Sequence, residues 1–171
     1  MADGSLITKL HHVAVAVESV EQGAQFYRDV LGLTLSRTIE LADRGLKVGF
    51  IQAGDTEIEL LEPTSQENTV RRFLDRRGPG LHHICFQVDD VEAAMRELGG
   101  RGAEFIDPVP REGAVGLVAF MPPESANGVL VELAQVPSPR EAHLLPAPLP
   151  QGERGDSPLP PVREKGPGDG G

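Results

Sequence analysis

The sequence predicts an α+β fold in which two tandem βαβββ modules share one curved mixed sheet around a cavity, followed by a disordered Pro- and Gly-rich tail. Two observations predict it. Leu10-His-His-Val-Ala-Val-Ala-Val17 returns 71 positions later as Leu81-His-His-Ile-Cys-Phe-Gln-Val88, and self-similarity at a fixed offset marks a duplicated structural unit. In each copy the apolar pattern then switches from period two to helical spacing, the signature of a strand feeding a helix.

The helices come first. The same offset carries Ser19 onto Asp90 and Val20-Glu21 onto Val91-Glu92. Ser and Asp are good N-caps because their side-chain oxygens accept from an orphan amide of the first turn, and Gln22 three positions after Ser19 completes a capping-box pattern. Val20, Ala24, Tyr27 and Leu31 recur at helical spacing, with Gly32 where a C-terminal cap belongs. In the second copy Val91, Met95 and Leu98 do the same, and Gly99, Gly100 and Gly102 end the helix. Strands follow. Residues 46–52 lead through Gly54-Asp55 into residues 56–62; residues 117–121 lead through Asn127-Gly128 into residues 129–133. Asn-Gly is a strong hairpin signal, since both residues tolerate positive φ. Phe50 maps to Phe120 and Glu59 to Glu132, so the second hairpin is three residues longer, which a loop absorbs easily. A linker helix over 68–77 joins the modules, which span about 7–64 and 80–136 within a folded region of 5–136. From Pro137 to Gly171 there are nine prolines and almost no patterned apolar residues. Such a segment buries too little surface to offset its ordering entropy, and 137–171 is expected to be a disordered tail.

Bulk numbers exclude several classes of function. The formal net charge of −10 argues against nucleic acid, which demands a basic face. Cys85 is the single cysteine, so no disulfide can close within the chain; this fits a reducing cytoplasm. No basic segment precedes an apolar run at Met1, and no apolar run approaches the ~20 residues of a membrane helix.

Strand alternation then sorts the side chains. His11, Val13, Val15 and Val17 share one face, expected against the helix; His12 looks the other way across Ala14 and Ala16. In the repeat, His82, Ile84, Phe86 and Val88 form the apolar face and His83 lies opposite, with Cys85 and Gln87. Ile58 and Leu60 pack inward, leaving Glu57, Glu59 and Leu61; Val129, Val131 and Leu133 leave Leu130, Glu132 and Ala134. Pseudo-twofold symmetry brings the open faces together, so His12, Glu59, His83 and Glu132 are expected to converge. Two imidazoles and two carboxylates suit a first-row divalent metal ion. A lone inward His is ordinarily a satisfied core residue. Here both residue types recur in register in both copies, and an unpaired buried carboxylate is costly. His11 and His82 are expected on the helix-facing or rim side, outside the ligand set, and Cys85 as a small buried hydrophobe.

These residues carry a resemblance. Paired βαβββ units with His in the first strand and Glu in the last resemble the vicinal-oxygen-chelate (glyoxalase/bleomycin resistance/dioxygenase) superfamily. Within it the chain is most similar to the methylmalonyl-CoA epimerase family, through Ile58-Glu-Leu-Leu-Glu-Pro63, Thr69-Val with Phe73-Leu74, Gly80-Leu-His-His-Ile84, Gly113-Ala-Val-Gly116 and Gly128-Val-Leu-Val-Glu-Leu133. The resemblance implies a metal held by His12, Glu59, His83 and Glu132, with Gln at the Glu59 position in some members. It implies Co²⁺ foremost among Co²⁺, Mn²⁺, Ni²⁺ and Zn²⁺, an acyl-CoA substrate and a homodimer.

The implied reaction interconverts the C2 epimers of methylmalonyl-CoA by proton abstraction, with Glu132 as leading base and Glu59 or a nearby group as its counterpart. Two departures stand out: Val48 falls where some members have a carboxylate, and Pro122-Pro123-Glu124 stands where many have His-Pro-Lys. Arg71, Arg72, Arg76 and Arg77 on the linker helix are candidates for the CoA phosphates, against the plain reading of a solvated helix face. The competing functions are a glyoxalase-I-like lyase acting on a glutathione hemithioacetal and a non-catalytic small-molecule-binding protein of the same fold.

Overall fold

The computed structural model describes residues 5–137, so the expected tail beyond Pro137 lies outside the described residues. In chain order the strands and helices are β1 (Lys9–Ala16), α1 (Val20–Asp29), β2 (Leu35–Leu41), β3 (Leu46–Ala53), β4 (Thr56–Pro63), α2 (Thr69–Arg77), β5 (Gly80–Val88), α3 (Val91–Gly100), β6 (Arg111–Glu112), β7 (Leu117–Met121) and β8 (Leu130–Gln135). All eight strands form one curled mixed sheet in the order β2-β3-β4-β1-β5-β8-β7-β6. β1 and β5 pair antiparallel at its centre; each also pairs parallel with the last strand of its own module, β4 or β8. The two modules are thus related by a pseudo-twofold between β1 and β5. Among the described residues no helix is long and apolar enough to cross a membrane.

The helix starts follow from the caps. Ser19 Oγ accepts from the Gln22 amide at 3.3 Å, and Asp90 Oδ1 from the Ala93 amide at 2.8 Å. The first helical amides find a second kind of partner in the last strands: Val20 N–H donates to Glu62 Oε2 at 2.7 Å, and Val91 N–H to Gln135 Oε1 at 3.1 Å. Each module therefore ties its helix N-terminus to the end of its own last strand, satisfying an otherwise orphaned donor. Asn68 caps α2 by accepting from the Val70 amide at 2.7 Å. Asn127 and Gly128 both take positive φ, 55° and 86°, as the hairpin signal requires.

The sheet separates two kinds of surface. On its outer face α1 packs Val20 and Ala24 against Val17, Ile51 and Leu60, while α3 packs Val91 and Ala94 against Val88, Ala119 and Leu133. On the other face α2 lays Val70 and Leu74 over Ala14, Ala16, Val48, Phe50 and Leu61. Full burial of a side chain such as Leu74 stabilises by about 1.5–3 kcal/mol, so α2 is anchored beside the inner face that carries the polar cluster.

Candidate metal centre

β1, β4, β5 and β8 are the four central strands, and each contributes one polar side chain to the inner face. His12, Glu59, His83 and Glu132 are all buried, none more than 5% exposed. The registers explain why they meet. His12 lies opposite Cys85 and His83 opposite Ala14 across the β1–β5 seam, so the two imidazoles straddle it symmetrically. Glu59 is beside Ala14 on β4, and Glu132 beside Cys85 on β8. The small side chains Ala14 and Cys85 leave the room in which the four polar groups converge.

The distances are short. His12 Nε2 lies 3.2 Å from His83 Nε2. Glu132 Oε2 lies 2.7 Å from His83 Nε2 and 3.4 Å from His12 Nε2. Glu59 Oε1 lies 3.3 Å from His12 Nδ1, but out of hydrogen-bond alignment, so this oxygen is buried without a partner. One ligand atom each from His12, Glu59 and His83 falls within 4.8 Å of the others.

Burial drives the Glu59 carboxyl up to about 7, only partly opposed by His12. Burial also raises Glu132, but hydrogen bonds from His12 and His83 outweigh it and hold this carboxylate at about 2. For His12, burial favours the neutral ring, yet the hydrogen bond to Glu132 and the charge of Glu59 leave its proton affinity above the usual imidazole value.

This donor set fits a divalent metal. First-row ions hold imidazole nitrogen and carboxylate oxygen at about 2.0–2.2 Å, which spaces neighbouring donors about 3–3.4 Å apart on one ion. The spacings of His12 Nε2 to His83 Nε2 and to Glu132 Oε2, 3.2 and 3.4 Å, fall in that range; Glu59 faces the other ring nitrogen, Nδ1, and its orphaned oxygen is an electron-pair donor with no hydrogen-bond donor aimed at it. A buried unsatisfied carboxylate is expensive unless something pairs with it.

The neighbouring histidines, both expected on the helix-facing or rim side and outside the ligand set, depart from strict alternation. His11 Nδ1 lies 3.0 Å from His12 Nδ1. His82 borders the cavity, its Nδ1 2.8 Å from His83 Nδ1 and its ring edge-on to Phe73 of α2. The cause is a pair of β-bulges. Between Leu10↔Phe86 and His12↔Cys85 the extra residue is His11; between Ala14↔His83 and Val15↔Leu81 it is His82. A bulge breaks strict alternation and re-aims a side chain. The two bulges obey the same offset of 71 as the repeat. Strand alternation could not find these two contacts; the doubled His-His in both copies was their one signal. Burial and the neighbouring ring keep His82 mostly neutral, its pKa lowered to about 4. Cys85 is fully buried against Val118 and Ala134, and burial first, then the nearby carboxylates, raises its thiol pKa.

The cluster opens into a cavity of ≈ 780 Å³, the size of a small-molecule site. Val48, Leu61, Val118 and Phe120 give it apolar walls. Val48 is fully buried and offers no group for proton transfer at the position where some related chains carry a carboxylate.

This architecture, two βαβββ modules around an inward His–Glu cluster, defines the class. The sequence profile of the Glyoxalase/Bleomycin resistance protein/Dioxygenase superfamily matches residues 11–121, and the chain belongs to that superfamily. Its relatives narrow the likeness. The chain is 40% identical over 134 residues to the ethylmalonyl-CoA/methylmalonyl-CoA epimerase of Cereibacter sphaeroides, covering 77% of this chain and all (100%) of that one. The crystal structure of methylmalonyl-CoA epimerase from Mycobacterium tuberculosis matches with a TM-score of 0.74 at 31% identity, over 84% of this chain and 97% of that one. A variant of the Streptomyces coelicolor methylmalonyl-CoA epimerase, in complex with 2-nitronate-propionyl-CoA, matches with a TM-score of 0.68 at 28% identity, over 74% and 96% of the two chains.

Proposed function

We propose that the protein is a metal-dependent epimerase that interconverts the two C2 epimers of methylmalonyl-CoA. The observation that carries this reading is the pair of buried carboxylates with opposed proton affinities at one end of an apolar cavity, in a chain whose relatives include epimerases at up to 40% identity. Carboxylates driven apart in this way suit acid–base work on the two sides of one carbon.

In this reading His12, Glu59, His83 and Glu132 hold the divalent ion, foremost Co²⁺, with Mn²⁺, Ni²⁺ or Zn²⁺ as alternatives. When bound, the ion supplies Lewis-acid stabilisation of negative charge on the substrate oxygens. The chain's residues do the rest. Glu132, ionised by its two imidazole partners, accepts the C2 proton; the C2–H electron pair passes into the thioester to give an enolate. A second acid, Glu59 or a group beside it, returns a proton to the opposite face of C2, which restores the thioester with inverted configuration. Val48, Leu61 and Phe120 keep water from the enolate. A lyase of the glyoxalase I kind uses similar enolising chemistry on a glutathione adduct, and the epimerase relatives favour the CoA thioester instead. The protein is read as cytoplasmic and, by the family resemblance, as a homodimer.

The deciding measurement is deuterium incorporation at C2 of methylmalonyl-CoA in D₂O with metal-loaded protein. Exchange well above the protein-free rate is expected. Background exchange by protein shown to contain metal refutes the epimerase.

A further inference from the structure

Both copies of the repeat carry two adjacent histidines, and only the second of each pair falls in the donor set. All four rings nevertheless form one row across the β1–β5 seam. His11 Nδ1 lies 3.0 Å from His12 Nδ1, His12 Nε2 lies 3.2 Å from His83 Nε2, and His83 Nδ1 lies 2.8 Å from His82 Nδ1. Successive ring centroids are 5.2, 5.3 and 5.1 Å apart, each pair edge-on. The order of facing nitrogens is the same from either end of the row, as the pseudo-twofold requires.

This order constrains the protons. Two ring nitrogens facing at hydrogen-bond distance need one proton between them. At the centre of the row both Nε2 atoms also face Glu132 Oε2, at 3.4 Å from His12 and 2.7 Å from His83. These are the nitrogens aimed into the donor set. A neutral imidazole that gives its Nε2 lone pair to a cation carries its proton on Nδ1. In His12 that proton points at His11, and in His83 at His82. With the His12 Nδ1 proton directed to His11, Glu59 Oε1 at 3.3 Å is left without a hydrogen-bond donor. Ring packing alone does not explain why the contact is nitrogen to nitrogen in both copies. Nor does it explain why a bulge at the same offset of 71 turns each outer ring toward its ligand neighbour.

We propose that His11 and His82 are positioning residues, each holding the adjacent ligand ring, His12 or His83, in the Nδ1–H tautomer that frees Nε2 for the ion. The assignment rests on the four-residue metal centre above and adds a second pair of side chains to it. A carbonyl or carboxylate in this place only accepts a hydrogen bond. An imidazole both donates and accepts, so one contact serves two states. In the empty centre His12 and His83 donate from Nε2 to Glu132 and accept at Nδ1 from their outer neighbours. In the loaded centre they donate from Nδ1. On loading, the Nε2 proton of the ligand ring leaves to solvent, the shared proton passes from the outer ring to the ligand ring, and the outer ring takes a proton from solvent on its own Nε2. Each neutral pair keeps two protons throughout.

Zn²⁺ affinity of the full chain, measured by competition with a chromophoric chelator, tests the assignment without turnover. Leu and Asn have similar shapes, but only Asn places a hydrogen-bonding atom where Nδ1 stood. His11→Leu and His82→Leu are each expected to weaken Zn²⁺ binding by about 10–100-fold, and His11→Asn and His82→Asn to restore it to within a few-fold of wild type. Equal affinity in a Leu variant and its Asn counterpart overturns the role of that ring, whether both match wild type or both fall. Ring-nitrogen NMR of the wild type needs no variant. In Zn²⁺-loaded protein His12 and His83 are expected as Nδ1–H tautomers, and a protonated Nε2 on either loaded ring overturns the proposal. Wild type that takes up no divalent ion refutes the centre and the positioning role together. Binding weakened by Leu and rescued by Asn, with no C2 exchange of methylmalonyl-CoA, refutes the epimerase and keeps the positioning role.

Discussion

The two modules contribute the same residue types from corresponding strands, yet their carboxylates end in opposite states. Glu132 in the second module lies against both imidazoles and ionises readily, held at about 2. Glu59 in the first touches only His12, out of alignment, and is driven up to about 7 by burial. Duplication supplied a symmetric frame, and the different hydrogen-bond partners of the two carboxylates broke the symmetry. One carboxylate is thereby fixed as an anion while its counterpart stays close to neutrality.

The largest effect tests that division. Glu132→Gln keeps the shape and removes the charge, and C2 exchange is expected to fall by about 10²–10⁴-fold, the usual range for a lost general base. Glu59→Gln is expected to fall by about tenfold or less and to retain bound metal by elemental analysis, because Gln stands at this position in some family members. Equal losses in the two variants would show the carboxylates to be interchangeable and break the comparison.

Proton competition follows from the same contrast. Binding a cation requires Glu59 to lose its proton, so metal affinity is expected to weaken as pH falls below about 7, by up to tenfold per unit for this group, and Glu59→Gln is expected to make that dependence shallower and leave the share of His12. The metal-free protein shows the opposite face of this linkage. A carboxyl whose folded pKa lies above its unfolded value binds more protons when folded, so its contribution is fully present below about 4.5 and is lost as pH rises through about 7. Its size is on the order of 3 kcal/mol. Chelator-treated wild type should therefore lose thermal stability between pH 5 and pH 8, and Glu59→Gln should lose less, since only the raised His12 still contributes with the same sign.

How much of this was legible in the sequence depends on which rule each residue obeys. His12, Glu59, His83 and Glu132 follow strict alternation from the last strand residues backward, so period two sufficed to bring them to one face. His11 and His82 do not, because a bulge adds a residue that alternation cannot count, and only cross-strand register reveals it. The second strand of each module was implied by the repeat but not located. β2 lies largely exposed and β6 has only two residues, so neither carries an apolar pattern to read. The hydrogen bonds from Val20 to Glu62 and from Val91 to Gln135 join residues more than forty positions apart and use different side chains, which hid their equivalence.

Packing beneath the helices gives a smaller, sharper comparison. Gly49 on β3 corresponds to Ala119 on β7, and the two sit under Val20 and Val91 respectively. A Cβ added at Gly49 would lie 2.5 Å from Val20 Cγ1 and 2.9 Å from Leu35 Cδ1, inside any real contact. The first module leaves no room for a methyl beneath Val20, where the second accommodates that of Ala119 in the cluster with Val91. Gly49→Ala is expected to cost about 1–3 kcal/mol by overpacking, read from urea midpoints. Ala119→Gly should cost about 1 kcal/mol through lost burial and added chain freedom.

The smallest expected difference lies at the two caps. Asp90 accepts at 2.8 Å and carries a negative charge at the positive end of α3, whereas Ser19 accepts at 3.3 Å and is neutral. α1 also has its first amide held by Glu62 at 2.7 Å, a charged acceptor, where α3 has the neutral Gln135 at 3.1 Å. The two helix starts thus divide the same work in opposite proportion between cap and last strand. Each cap-to-Ala change is expected to cost about 0.5–2 kcal/mol, with Asp90→Ala above Ser19→Ala by several tenths. Replacing the strand partners should reverse the order, Glu62→Ala costing more than Gln135→Ala, because a charged acceptor is lost in the first case and a neutral one in the second. Chemical denaturation of the four single variants measures both orders, and a reversal in either pair would mean that the helix starts depend on something other than these four acceptors.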